Sequence, residues 1–70
     1  MESDYINEKI GNKIKELRNR NGLTQQELAD RTELTKGFIS QLERGQVSPS
    51  VVTLLDLIEC LGSTASNFFK

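Results

Sequence analysis

An all-α fold, a bundle of five helices, is what this 70-residue chain predicts, and three observations carry that prediction. Apolar residues recur at spacings of three and four, the repeat of a helix with one buried face. Gly22, Gly45 and Gly62 each follow such a stretch, where glycine takes the left-handed conformation beyond a helix end without a side-chain penalty. No segment alternates apolar and polar residues as a strand does, and there is no low-complexity tract or internal repeat. The glycines place helix ends near Asn21, Arg44 and Leu61.

The first helix runs from about Tyr5 to Asn21. Ile6, Ile10, Ile14 and Leu17 form its inner stripe, with Glu8, Lys9, Lys13, Lys15 and Glu16 mostly off it on a solvated face. The second helix opens at Thr24. Thr24 with Glu27 three residues on is a capping-box signature, and Leu23 with Leu28 fits a hydrophobic staple. Leu28 and Ala29 face inward, and the helix ends near Thr32. Glu33-Leu34-Thr35 is a short connection whose threonine caps a third helix, Lys36 to Arg44, with Ile39 and Leu42 inside. Two short helices joined by such a turn, over about residues 24–44, have the spacing of a helix-turn-helix. Gln46 to Ser50 is a polar loop anchored by Val47. Ser48 or Ser50 caps a fourth helix, and Pro49 is tolerated in its first turn, where a missing N–H leaves nothing unpaired. Leu54, Leu57, Ile58 and Leu61 are the inner face of that helix. Thr64 caps a last short helix that buries Ala65 and Phe68.

Composition narrows the function classes. Seventy residues make one domain, with little spare core for a deep substrate pocket. With 36% apolar and 27% charged residues the chain suits a soluble globular domain rather than a disordered segment. Charge interrupts every apolar stretch within a few residues, so none spans a membrane, and Met1-Glu2-Ser3-Asp4 is not a basic, apolar signal; the cytoplasm is the expected location. Cys60 is the single cysteine. An internal disulfide is excluded, and its helical apolar setting reads as a buried thiol. The absence of histidine removes the commonest general base and the commonest zinc ligand. With no phosphate loop and no nucleophile–base pair either, an enzyme is not expected, nor any metal or cofactor. The net charge of −1 means that nucleic-acid binding must rest on the charge of one face, with modest affinity for a single copy.

The runs Gly22-Leu23-Thr24-Gln25-Gln26-Glu27-Leu28-Ala29 and Leu34-Thr35-Lys36-Gly37-Phe38-Ile39-Ser40-Gln41-Leu42-Glu43-Arg44-Gly45, continued by Ser48-Pro49-Ser50, Thr53-Leu54 and Leu61-Gly62, resemble the Cro/CI-type helix-turn-helix family, also called the Xre family. The match covers roughly residues 6–69, and the joined pattern is far more specific than any part. Lys36-Gly37-Phe38 and Ser48-Pro49-Ser50 are most similar to members that carry a cupin sensor domain after the helix-turn-helix, a likeness that leaves two alternatives open: a small free-standing regulator, or the front piece of a longer parent chain with a C-terminal sensor domain. The resemblance implies a single domain over 1–70 of lambda-repressor-like type, acting as a sequence-specific transcription regulator on double-stranded DNA. Its third helix would read the major groove. Such domains commonly act as two-fold homodimers on palindromic operators, with half-sites about 34 Å apart. Two positions depart from the family pattern: Ser63 stands where an aliphatic residue is usual, and Gly37 where several relatives place a base-reading side chain.

Side chains near the start of the third helix must reach base edges while neighbours grip phosphates. The base-reading candidates are Lys36, Gly37, Ser40 and Gln41. Glutamine pairs bidentately with adenine and lysine donates to guanine acceptors, so Gln41 leads; Lys36 reads a base or grips a phosphate, and Ser40 contacts either. Gly37 lets the backbone approach DNA closely. The phosphate candidates are Gln25, Thr35, Arg44, Ser48 and Ser50. The resemblance assigns Gln25 this contact, and its backbone N–H lies at the positive end of the second helix dipole. Phe38 packs at the core edge or touches a thymine methyl, with packing favoured. Arg18 and Glu43 resemble a buried structural ion pair found in repressors of this family. Val52, Leu55 and Phe69 are surplus to the core and are candidates for a homodimer contact. The competing reading, to which the acidic balance gives weight, is a protein-interaction module such as an antitoxin or adaptor.

Overall fold

Gly22, Gly45 and Gly62 have φ of +68°, +72° and +73°, and each closes a helix in the same way. The glycine N–H donates to the carbonyl three residues back, and the next N–H to the carbonyl five back. Gly22 bonds Asn19 at 3.0 Å and Leu23 bonds Arg18 at 3.1 Å; Gly45 bonds Leu42 at 3.0 Å and Gln46 bonds Gln41 at 2.9 Å; Gly62 bonds Glu59 at 3.0 Å and Ser63 bonds Ile58 at 3.0 Å. These bonds satisfy carbonyls that a helix end leaves orphaned. Ser63 completes the third closure without the usual aliphatic side chain, because the closure is made by backbone atoms.

The computed structural model describes residues 2–70, with side chains from Asp4 onward. Among the described residues the elements are α1 (Glu2–Arg20), α2 (Gln25–Thr32), α3 (Lys36–Glu43), α4 (Val51–Cys60) and α5 (Ala65–Phe68). The four N-caps are Thr24, Thr35, Ser50 and Thr64, all in extended backbone, each accepting from the N–H three residues on. Each such cap contributes about 1 kcal/mol. At Thr24 the full reciprocal box forms, with the Thr24 N–H donating to Glu27 Oε1 at 2.9 Å. Three expectations shift. α1 begins at Glu2, ahead of the expected Tyr5, and ends at Arg20. Ser50 and not Ser48 is the fourth cap, so Pro49 precedes α4 instead of entering its first turn. Arg44 is the C-cap residue just beyond α3.

Helix α3 is the centre of the arrangement. α1 and α2 both pack on it, α2 also packs on α4, and α4 holds α5. Ile14, Leu23, Leu28, Ala29, Ile39, Leu42, Leu54, Leu57, Ile58, Leu61 and Phe68 form one buried core. Where α1 crosses the end of α3, Gly11 is buried, and a methyl group there would fall on the Leu42 carbonyl oxygen and lie 2.9 Å from that of Glu43. The two backbones touch because neither has a side chain between them.

Some expected core positions lie outside. Ile6 is 53% exposed. It lines an open cleft between α1 and the C-terminal end of the chain, facing Phe68 and Phe69 without being covered by them. Ala65 is exposed, since the four-residue α5 turns only Phe68 inward. Cys60 is half-buried at the edge of a cleft with Arg31, Thr32, Glu33, Asp56 and Glu59. Lys13 is not fully solvated: its Nζ donates to the Phe68 carbonyl at 2.7 Å and lies 5.8 Å from that ring's centroid, tying α1 to α5. Among the described residues no helix is long and apolar enough to cross a membrane.

Candidate nucleic-acid interface

Helix α3 sorts its side chains by face. Ile39, Leu42 and Glu43 are buried, and Phe38 is half-buried against the core, the packing role favoured from the sequence. Lys36, Gly37, Gln41 and Arg44 are exposed and Ser40 is half-exposed. Positions three and four apart share a helix face, so these five form one outward stripe. Rising about 1.5 Å per residue, the stripe is about 12 Å long, comparable to the width of the DNA major groove. A methyl group at Gly37 would meet nothing within 4 Å, so the protein leaves that part of the stripe bare.

The flanking candidates are anchored by their own backbone contacts. Thr35 Oγ1 accepts from the Phe38 N–H at 3.1 Å. Ser50 Oγ accepts from the Thr53 N–H at 3.1 Å and donates to Thr53 Oγ1 at 3.0 Å. Arg44 Nε donates to the Ser40 carbonyl at 3.3 Å, which holds its guanidinium beside the stripe. Ser48 is exposed on the loop between α3 and α4.

Behind the stripe, Arg18 and Glu43 form a two-pronged ion pair. Arg18 Nε donates to Oε2 at 2.6 Å and Nη2 to Oε1 at 3.0 Å. Arg18 Nη1 also donates to the Leu23 carbonyl at 2.8 Å. Both side chains are nearly withdrawn from solvent, and the hydrogen bonds to Glu43 push the Arg18 pKa further above its already high ordinary value, against the opposing effect of burial. The pair joins α1, the α1–α2 turn and the end of α3, so it sets where α3 sits. Burying these charges is tolerable because each is hydrogen-bonded as well as paired.

One contact of the arrangement was not legible from the sequence. Gln25 opens α2 and is half-buried, and its Nε2 donates to Glu43 Oε1 at 3.1 Å. The side chain expected to lie free for phosphate is thus already engaged with the ion pair. No spacing rule links positions eighteen apart, so only the packing of α2 on α3 reveals it.

Comparison with known proteins agrees with this geometry. The helix-turn-helix family model HTH_3 matches residues 14–68. The HTH-type transcriptional regulator y4dJ of Sinorhizobium fredii is 40% identical over 53 residues, 76% of this chain and 69% of that protein. The HTH-type transcriptional regulator PuuR of Escherichia coli is 37% identical over 60 residues, 86% of this chain but only 32% of that protein. The restriction-modification controller protein C.Esp1396I, solved as a tetramer with its natural 35 base-pair operator, superposes with a TM-score of 0.84 at 28% identity, covering 93% of this chain and 86% of that one. With the family model spanning most of its length and its five helices in the same arrangement, the chain belongs to the HTH_3 helix-turn-helix family.

Proposed function

We propose that this chain is the DNA-binding domain of a sequence-specific transcription regulator, with α3 lying in the major groove. The observation that carries the reading is the outward stripe Lys36, Gly37, Ser40, Gln41 and Arg44 on a helix whose opposite face is locked into the core. Gln41 reads a base edge. Lys36 and Ser40 contact bases or the adjoining phosphates, and the bare backbone at Gly37 permits close approach. Gln25, Thr35, Arg44, Ser48 and Ser50 grip the phosphates on either side. The operator complex of C.Esp1396I supports this use of the fold.

We further propose that the domain binds as a homodimer. Val52 at 70%, Leu55 at 43% and Phe69 at 59% exposure leave apolar surface available for a second copy, and Val51, beside Val52 at the start of α4, is 74% exposed. Joining two weak sites raises affinity through effective concentration, which a chain of net charge −1 needs. Sedimentation showing only monomer, with and without DNA, refutes the dimer.

Selection of bound sequences from a random duplex pool tests the whole reading. The expected outcome is a palindromic motif with half-sites one helical turn apart. Binding should weaken steeply with salt, as phosphate contact requires. Absence of binding at low salt would instead favour a protein-interaction module. Gln41→Ala should relax the preference at one base pair by about 1–3 kcal/mol; an unchanged binding profile removes Gln41 from the interface.

A further inference from the structure

The Gln25–Glu43 hydrogen bond bears directly on the interface, and its consequence for binding rests on the proposed contact with DNA. A primary amide carries two N–H donors at one end and an acceptor oxygen at the other. Free in solvent, a glutamine at the start of α2 presents either end outward, and only the nitrogen end attracts a phosphate. Glu43 removes that choice. Both oxygens of its carboxylate accept from prongs of the Arg18 guanidinium, so the group presents acceptors alone. The amide must therefore turn its nitrogen toward Oε1, and it does so at 3.1 Å. One N–H is held there, and the second leaves the same nitrogen on a fixed bearing in the amide plane. Among the described residues no buried side-chain nitrogen or oxygen lacks a partner. The Gln25 oxygen, which has no hydrogen-bond partner among the described residues, is thus open to solvent.

We infer that Glu43 is a positioning residue for DNA binding: through the Gln25 hydrogen bond it holds that amide with one N–H inward and the other ready to donate to a backbone phosphate. Arg18 acts one step further back, by holding the Glu43 carboxylate in place through its two hydrogen bonds. The buried pair then does more than hold α1 to α3. It sets the donor geometry of a side chain on α2, so the two helices of the motif engage DNA as one unit. A glutamine bridging a fixed carboxylate and a phosphate also needs no reordering on binding, which favours affinity.

The test is a double-mutant cycle on a duplex recovered from the random-pool selection, at two salt concentrations. Gln25→Ala should weaken binding about tenfold in the native background, as loss of a hydrogen bond to a charged group does. In a Glu43→Gln background the same change should add less than twofold, because the amide has already lost its fixed orientation. Losses that multiply independently overturn the inference while leaving DNA binding intact. Absence of binding at low salt overturns the DNA-binding reading and this inference with it. Since Glu43→Gln leaves Arg18 without its full partner and the variant can fail to fold, a second measurement uses the unaltered protein. In NMR spectra one Gln25 side-chain amide proton should exchange with solvent more slowly than those of the exposed Gln41 and Gln46. Adding DNA should preserve that protection and slow the second Gln25 proton as well. Loss of the first protection on DNA addition shows Gln25 leaving Glu43 for the phosphate, and refutes the positioning role.

Discussion

Gly11→Ala adds one methyl group to a helix interior, a change that by itself favours the helix by about 0.8–1 kcal/mol. In this domain the methyl has nowhere to go. It would overlap the Leu42 carbonyl oxygen and lie 2.9 Å from the Glu43 oxygen and 3.0 Å from its carbon. All three obstacles are main-chain atoms at the end of α3, so no side chain can rotate away and α1 itself must shift. Overpacking of a well-filled contact costs about 1–3 kcal/mol, and rigid obstacles place this case at the upper end. Against the helix gain the net loss is about 2 kcal/mol, from a total stability of about 3–10 kcal/mol for a chain of this length. The melting temperature should fall by about 8–16 °C. Gly37→Ala is the matched control. It also lies in a helix, but nothing stands within 4 Å of the added methyl, so the domain should gain up to about 1 kcal/mol. Thermal unfolding of the two variants beside the parent decides the matter. A Gly11→Ala domain as stable as the parent refutes the steric account of the α1–α3 crossing, whatever Gly37→Ala does.

Other outcomes can be checked with similar means. Arg18→Met strands the Glu43 charge and should cost about 3–5 kcal/mol in urea unfolding, whereas Arg18→Met with Glu43→Leu should recover most of the loss; equal damage from single and double changes contradicts the ion-pair account. Glu33 ends α2 at φ +58°, a left-handed conformation costing a side-chain-bearing residue about 1–2 kcal/mol. Allowing for glycine's greater chain entropy, Glu33→Gly should stabilise by about 0.5–1 kcal/mol and raise the melting temperature by a few degrees. The Glu27 carboxyl is held below its ordinary pKa by the hydrogen bond from the Thr24 backbone N–H and then by the Thr24 side chain. A lowered folded-state value means stability that is present above the ordinary carboxylate range and lost as pH falls through the folded pKa. The melting-temperature gap between the parent and Glu27→Ala should therefore hold from neutral pH down to that range and narrow below it, and a gap that widens in acid contradicts the capping box.

The sequence was most legible where structure is local. Thr24, Thr35 and Thr64 cap helices through contacts three residues long, and Gly22, Gly45 and Gly62 close helices through contacts three and five residues long. Such signals are complete within a single turn of chain, so one sequence contains all of their physics. The inner faces at Ile14, Leu28, Ile39, Leu57 and Ile58 follow from periodicity for the same reason. The outward stripe on α3 follows in turn, since locating Ile39 and Leu42 inside forces Lys36 and Gln41 outside.

What the amino-acid order determined by itself was thus the number of helices, the glycine closures that end three of them, and which face of each turns inward, all of which depend on neighbours within a few turns of chain. Only the tertiary structure decided where one helix meets another. It put Gly11 against the end of α3, left Ile6 exposed in a cleft with Phe68 and Phe69, exposed Ala65, and brought Gln25 to the Arg18–Glu43 pair. Those outcomes depend on relative helix lengths and crossing points, quantities set by the sum of many weak packing contacts and carried by no short stretch of sequence.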